Sequence, residues 1–160
     1  MRTNPARLQQ LQQLAILDTA AERVYDDLTR LLQQSLEVPI SMVNMLDAER
    51  DWFKSCVGFP ATESPAETSF CQVFFNSATD LVVVEDTTQD PRFATHPLVT
   101  GEPHIRFYAA ARLSVNGHTV GTLCAYDTRP HQVTQAHLAN LQALANSAMQ
   151  SLASRSTGAA

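Results

Sequence analysis

Lysine is all but missing from this chain: of 160 residues only Lys54 carries an ammonium group, and the net charge is −5. So acidic a chain lacks the basic face that phosphate backbones require, which argues against nucleic acid as its main partner. Glycine is scarce too, with five residues, and no Gly-rich phosphate loop appears. No apolar run approaches the roughly 20 residues of a membrane span. The opening MRTNPARLQQ has none of the apolar stretch of a secretion signal. These absences predict a cytoplasmic protein with no membrane partner. The three cysteines, Cys56, Cys71 and Cys124, are an odd number without CxxC spacing, so they read as buried thiols in a reducing compartment. His131 and His137 stand six apart across a helix start, the wrong spacing for a helical metal pair. No Ser-His-Asp arrangement is apparent, and the sequence assigns no catalytic and no metal residue.

What is present is ordinary globular composition, 44% hydrophobic and 17% charged, in a length that closes a single core. Residues 1–153 read as a single domain and 154–160 as a tail or linker stump. Leu8, Leu11, Leu14 and Leu17 recur every three residues, predicting a helix over 5–17 with a thin apolar stripe. Its narrowness makes it a candidate for dimerisation. Thr19 and Glu22 have capping-box spacing and predict a second helix start, with Val24, Leu28, Leu31 and Leu32 on its apolar face. Pro39 ends that helix. Ile40–Leu46 and 51–57 read as two strands, the second alternating Trp52, Lys54, Cys56 against Phe53, Ser55, Val57. A loop over 58–68, a short helix over 69–77, a strand at Leu81–Val84 and an irregular segment over 85–96 follow. The last helix starts at Thr134, with Val133 and Leu138 as a hydrophobic staple.

The clearest local signal is Asn116-Gly117 between two apolar, β-rich runs, 105–115 and 118–127. Both residues tolerate positive φ, which fits a type I′ hairpin turn. An unbroken register from that turn sets Phe107 opposite Tyr126, Ala109 opposite Cys124, and Arg106 opposite Asp127 as a salt bridge. The element order, with five or more strands and adjacent ones joined by hairpins, predicts an α+β fold with a mostly antiparallel sheet. Terminal helices cover one face, and loops and short helices form a pocket on the other.

The segments Leu17-Asp18-Thr19, Asp51-Trp52-Phe53-Lys54-Ser55, Ser69-Phe70-Cys71, Asp90-Pro91-Arg92-Phe93, Pro97-Leu98-Val99, Arg106-Phe107-Tyr108-Ala109 and Gly121-Thr122-Leu123-Cys124 fall in one order and spacing. Together they resemble the GAF domains at the front of bacterial sensor kinases and cyclic-dinucleotide enzymes. The resemblance covers about Leu8 to Leu152. It implies the GAF- or PAS-like fold, a six-stranded antiparallel sheet with helices on one side and a pocket under loops on the other, and dimerisation through the terminal helices. It implies a sensory, non-catalytic role in bacterial signalling with an unidentified small molecule or partner protein, and it leaves any cofactor unknown. Bilin attachment in such domains needs a Cys-His pair, but Gln72 follows Cys71. The Asn-Lys-Phe signature of phosphodiesterase-type cyclic-nucleotide binders is missing.

Trp52, Asp86, Phe93, Phe107 and Tyr108 are the candidate ligand contacts, with Cys71 and Cys124 at the pocket border. Two alternatives stand beside the sensor. One is a pure dimerisation module whose pocket its own side chains fill. The other is a thiol-dependent enzyme resembling free methionine sulfoxide reductase, in which Cys71 and Cys124 serve as attacking and resolving thiols. Against it, neither thiol has Arg, Lys or His within two residues, and burial in apolar surroundings is expected to raise thiol pKa values.

Overall fold

The computed structural model describes the backbone of residues 1–158 and the side chains of residues 1–155. The chain order is helix α1 (Pro5–Gln13), helix α2 (Arg23–Leu36), strands β1 (Ile40–Leu46), β2 (Arg50–Val57) and β3 (Glu63–Pro65), and strand β4 (Leu81–Val84). The short helix α3 (Pro97–Thr100), strands β5 (Phe107–Val115) and β6 (His118–Asp127), and helix α4 (Gln135–Gly158) complete it. The six strands form one sheet in the order β3-β2-β1-β6-β5-β4, and every neighbouring pair is antiparallel.

Each face of the sheet carries its own core, because β1, β5 and β6 are buried on both sides. Helices α1, α2 and α4 cover one face, where Leu11, Leu32, Leu141, Ala145 and Leu152 pack against Val43, Phe107, Ala109 and Leu123. Loops and 3₁₀ turns cover the other, where Phe70, Phe74, Phe93 and Val99 pack against Met42, Tyr108, Cys124 and Tyr126.

Helix α1 starts on Asn4, whose Oδ1 accepts the Arg7 N–H at 3.1 Å, with Pro5 at the first helical position. It ends at Gln13 instead of Leu17, since Ala15 (φ 49°) and Asp18 (φ 61°) turn the chain left-handed. Leu11 and Leu14 are 1% exposed. Leu11 and Leu14 thus serve the intramolecular core, while Leu8 and Leu17 are half-buried.

The capping box does not form. Helix α2 begins at Arg23 with no side-chain cap, while Thr19 Oγ1 donates to the Ile16 carbonyl. Glu22 instead accepts from Lys54 Nζ and from Arg155 Nη1, each at 2.7 Å. A long-range pair of cations outcompetes the local backbone amide for this carboxylate.

Two bulges correct the strand registers. In the β1–β2 pair, Val43 faces Ser55 and Asn44 faces Phe53, so Lys54 is an extra residue. The alternation breaks there: Ser55 bonds Thr29 and Asp26 of α2, whereas Cys56 packs on the loop-covered side. In the hairpin, Asn116 (φ 51°) and Gly117 (φ 79°) adopt the positive φ of a type I′ turn. Val115 faces His118 and Ser114 faces Thr119, but Leu113 then faces Gly121, leaving Val120 extra. From there the register moves by one, so Phe107 faces Asp127, Tyr108 faces Tyr126 and Ala110 faces Cys124. The Arg106–Asp127 salt bridge is absent. Arg106 Nη1 donates to the Val99 and Ile105 carbonyls, and Asp127 pairs with His131.

The segment expected to be a tail is helical as far as Gly158, and 159–160 lie outside the described residues. Arg155 in that last stretch donates to the Leu14 and Ala15 carbonyls as well as to Glu22, which ties α4 to the α1–α2 junction.

Candidate functional site

A cavity of about 50 Å³ lies on the loop-covered face. Ile40, Met42, Phe53, Phe59, Phe70 and Tyr126 make it largely apolar, and Asn44, Asp51 and Ser69 give it a polar end. A water needs roughly 10–15 Å³ of such space, so the cavity takes a few waters or one small chemical group.

Its polar end is a connected network. Asp51 is 2% exposed. Its Oδ1 accepts from Arg2 Nη1 at 2.9 Å, and its Oδ2 accepts from Asn44 Nδ2 at 3.1 Å and from the Ser69 hydroxyl. The Ser69 Oγ in turn accepts the Cys71 N–H at 3.1 Å, capping the 3₁₀ turn Phe70–Phe75. Asn44 is 1% exposed, and its Oδ1 has no hydrogen-bond partner. The amide cannot rotate to cure this, because its N–H₂ must face the acceptor-only carboxylate. A buried acceptor without a donor costs about 1–3 kcal/mol. The cavity thus ends at a buried amide, whose oxygen lacks a partner, and a buried carboxylate.

Behind this end lies Cys71, whose Sγ is 3.1 Å from both Tyr108 Oη and Thr122 Oγ1 and 3.6 Å from Asn44 Nδ2. Burial opposes its ionisation, but the Cys124, Thr122 and Tyr108 groups around the sulfur outweigh burial and hold the thiol below its usual range. This corrects the expectation of a raised value for Cys71. Burial does raise Cys56, and burial with the neighbouring Cys71 raises Cys124 well above the ordinary range. Burial likewise lifts the Tyr108 and Tyr126 phenols. The Phe70 ring is the hub of the wall, 4.3 Å from His96, 5.1 Å from Phe93 and 5.2 Å from Tyr108; burial lowers the His96 pKa.

The structure brings four of the seven candidates together: Cys71, Phe93, Tyr108 and Cys124 share the loop-side core. They form a layer behind the cavity and do not line it. Trp52 and Phe107 belong to the opposite, helix-covered core, where Phe107 lies 5.0 Å from His131. β5 alternates without a break from the turn, which keeps Phe107 on the helix side with Val115 and Leu113, while the β1–β2 bulge parts Trp52 from Cys56. Asp86 is away from the cavity, capping a 3₁₀ turn through Thr88 N and Oγ1, and these bonds hold its carboxyl below the usual range. The residues that sequence reading missed are Asn44, Asp51, Ser69 and Arg2. A signal existed for the first: Asn44 interrupts the apolar run 42–46 in β1. Among the described residues no cluster of three or more His, Cys, Asp or Glu has the arrangement of a metal site. Likewise, no described helix is long and apolar enough to cross a membrane.

Comparison with known proteins agrees with this geometry. A cyclic di-GMP phosphodiesterase of Pseudomonas aeruginosa is 35% identical over 119 residues, which are 74% of this chain and 20% of that protein. The chain therefore spans about a fifth of that relative. The GAF domain of an Acinetobacter phosphoenolpyruvate-protein phosphotransferase superposes with a TM-score of 0.66 at 12% identity, covering 99% of this chain and 100% of that one. A free methionine-R-sulfoxide reductase from Neisseria meningitidis, solved with its substrate, gives 0.66 at 16% identity, covering 94% and 89%. At such identities these two likenesses show the fold. The model of the GAF domain matches residues 20–152, and the chain belongs to the GAF domain family.

Proposed function

We propose that this domain is a non-catalytic sensor in bacterial signalling whose loop-side cavity takes a small molecule with an apolar body and a hydrogen-bond-donating head. The observation that carries the reading is the buried, partnerless Asn44 Oδ1 beside the Asp51 carboxylate. An ammonium or amide N–H placed there meets both acceptors, while Phe53, Phe70 and Tyr126 enclose the rest. Larger occupants require the 3₁₀ turn at Ala66–Thr68 and the Pro103 loop to move outward. The layer of Cys71, Tyr108 and Thr122 supports Asn44 from behind, so that occupancy would be felt across β1, β5 and β6.

The likeness to a phosphodiesterase that is about five times longer supports a role as an input domain to a larger signalling protein. A thiol-reductase mechanism needs Cys71 to meet its substrate, but this thiol is 0% exposed and lies outside the cavity lining. Homodimerisation belongs to the same reading, through α2 and α4 rather than α1.

Native mass spectrometry of freshly purified protein tests the assignment. A retained small molecule carrying an N–H donor is expected in the parent and not in Asn44→Leu. A parent that retains nothing and gains no thermal stability across a library of amines, amides and amino acids defeats it.

A further inference from the structure

A second cleft lies where the start of α1 meets the β5–β6 turn, linked through Arg2 to the polar end of the cavity. Its volume is about 200 Å³, and it is lined by Asn4, Arg7, Arg112, His118 and Thr119 together with the ring of Phe75. Among the described residues none that lines it is acidic, in a chain whose net charge is −5. We infer that this cleft binds a tetrahedral oxyanion of the phosphate class.

Arg7 is the central observation. It is 3% exposed and has no carboxylate partner. Its Nε and Nη2 donate to the Arg2 carbonyl, at 2.8 and 2.6 Å, and its Nη1 donates to the Thr119 carbonyl at 3.1 Å. Three of its five N–H groups are thereby used and two remain. Burial and the adjacent Arg2 charge together lower its pKa to about 10, against the more distant pull of Asp47 and Asp51. Those two carboxylates are already paired, with Arg50 and Arg2 respectively. A guanidinium buried in this way, with carbonyls and the Phe75 ring face 5.0 Å away but no carboxylate as partners, is an incompletely compensated charge.

The remaining groups supply the rest of an oxyanion site. Arg112 is pinned by five hydrogen bonds, to the Phe74, Ser77 and Thr79 carbonyls and to Thr119 Oγ1, so it contributes a fixed positive charge. Its one carboxylate neighbour, Asp80, is 3.4 Å away and 76% exposed, so water screens the pair. Asn4 spends its Oδ1 on the α1 cap and keeps its N–H₂ to donate, and the α1 N-terminus adds the positive end of its dipole. The half-buried His118 ring stands on the opposite wall. Donors that converge from a helix start, a guanidinium and an imidazole suit a tetrahedral anion better than a planar one. With so little apolar wall, the cleft holds the anionic group and leaves any organic remainder in solvent.

The test is a titration by ¹H–¹⁵N NMR of the Arg7 Nε–Hε and His118 signals with inorganic phosphate and with glycerol 3-phosphate. Sodium chloride at matched ionic strength is the reference. Asn4→Asp is the informative variant, because aspartate keeps the helix cap while setting a negative charge in the cleft. Saturable shifts with either phosphate probe, weakened at least tenfold in Asn4→Asp and in His118→Gln, are expected; the two probes distinguish a free ion from an ester as the source. Equal unfolding midpoints in chloride show that the variants are folded. Shifts that track ionic strength alone, or that survive undiminished in both variants, overturn the proposal.

Discussion

At the scale of single residues, two buried polar side chains do different work. Asn44 is left short of a donor, which marks it as part of a site, whereas Lys54 is fully satisfied and structural. The Lys54 side chain is 0% exposed and its Nζ donates to Glu22, to Thr19 Oγ1 and to the Ala20 carbonyl. Lys54→Met keeps the stem but strands those acceptors, and a loss of about 1–3 kcal/mol in urea unfolding is expected. The pH dependence has a definite sign. The bond from Lys54, together with Arg155, holds the Glu22 carboxyl below its ordinary 4.5. The folded pKa lies below the unfolded one, so this stabilisation is complete above pH 4.5 and fades as pH falls through the folded value. In Lys54→Met the Glu22 pKa rises toward 4.5, and the variant should lose less stability than the parent between neutral pH and acid. A parallel acid loss in both proteins would show that another carboxylate governs this range.

At the scale of elements, the bulges decide which side chains meet. Ser55 reaches α2 because Lys54 is the extra residue of the β1–β2 pair, and Val120 shifts β6 by one against β5. The return strand must also run very close to β1. At Gly121 an added Cβ would stand 2.5 Å from the Asn44 carbonyl oxygen and 3.2 Å from Met45 Sδ. Gly121→Ala therefore forces β1 and β6 apart at the residue that closes the cavity. A destabilisation of about 1–3 kcal/mol by urea unfolding is expected, accompanied by loss of any ligand retained by the parent. Unchanged stability would mean that the strands separate without strain.

For the whole molecule, the two-sided sheet separates the cavity from the outer helical surface. The loop face holds the cavity, while α2 and α4 present the outer surface, with Leu31 50% and Val24 45% exposed. Leu31 also lines a groove with Ala143 and Leu144 of α4. Light scattering is expected to show a dimer at micromolar concentration and a monomer for Leu31→Glu, a change at an exposed position that leaves the fold intact. A monomeric parent would remove dimerisation through these helices from the functional reading.

The amino-acid sequence by itself determined most of the elements and their order, although β3, Glu63–Pro65, lies in the stretch 58–68 that reads as a loop. Helical spacing, Asn116-Gly117 and the β-rich runs are local signals, and the backbone obeys them because propensity and turn chemistry act over a few residues. It determined the class of fold as well, since amphipathic terminal helices must bury their apolar sides on the sheet. Only the tertiary structure decided which face each strand residue occupies, because one extra residue at Lys54 or Val120 inverts everything beyond it. Ser55 turned to the helix side and Cys56 to the loop side for that reason. The site itself was equally illegible. Asn44, Asp51, Ser69 and Arg2 come from four separate stretches of chain, and a buried acceptor is recognised as unmet only when every neighbour within hydrogen-bonding distance is known.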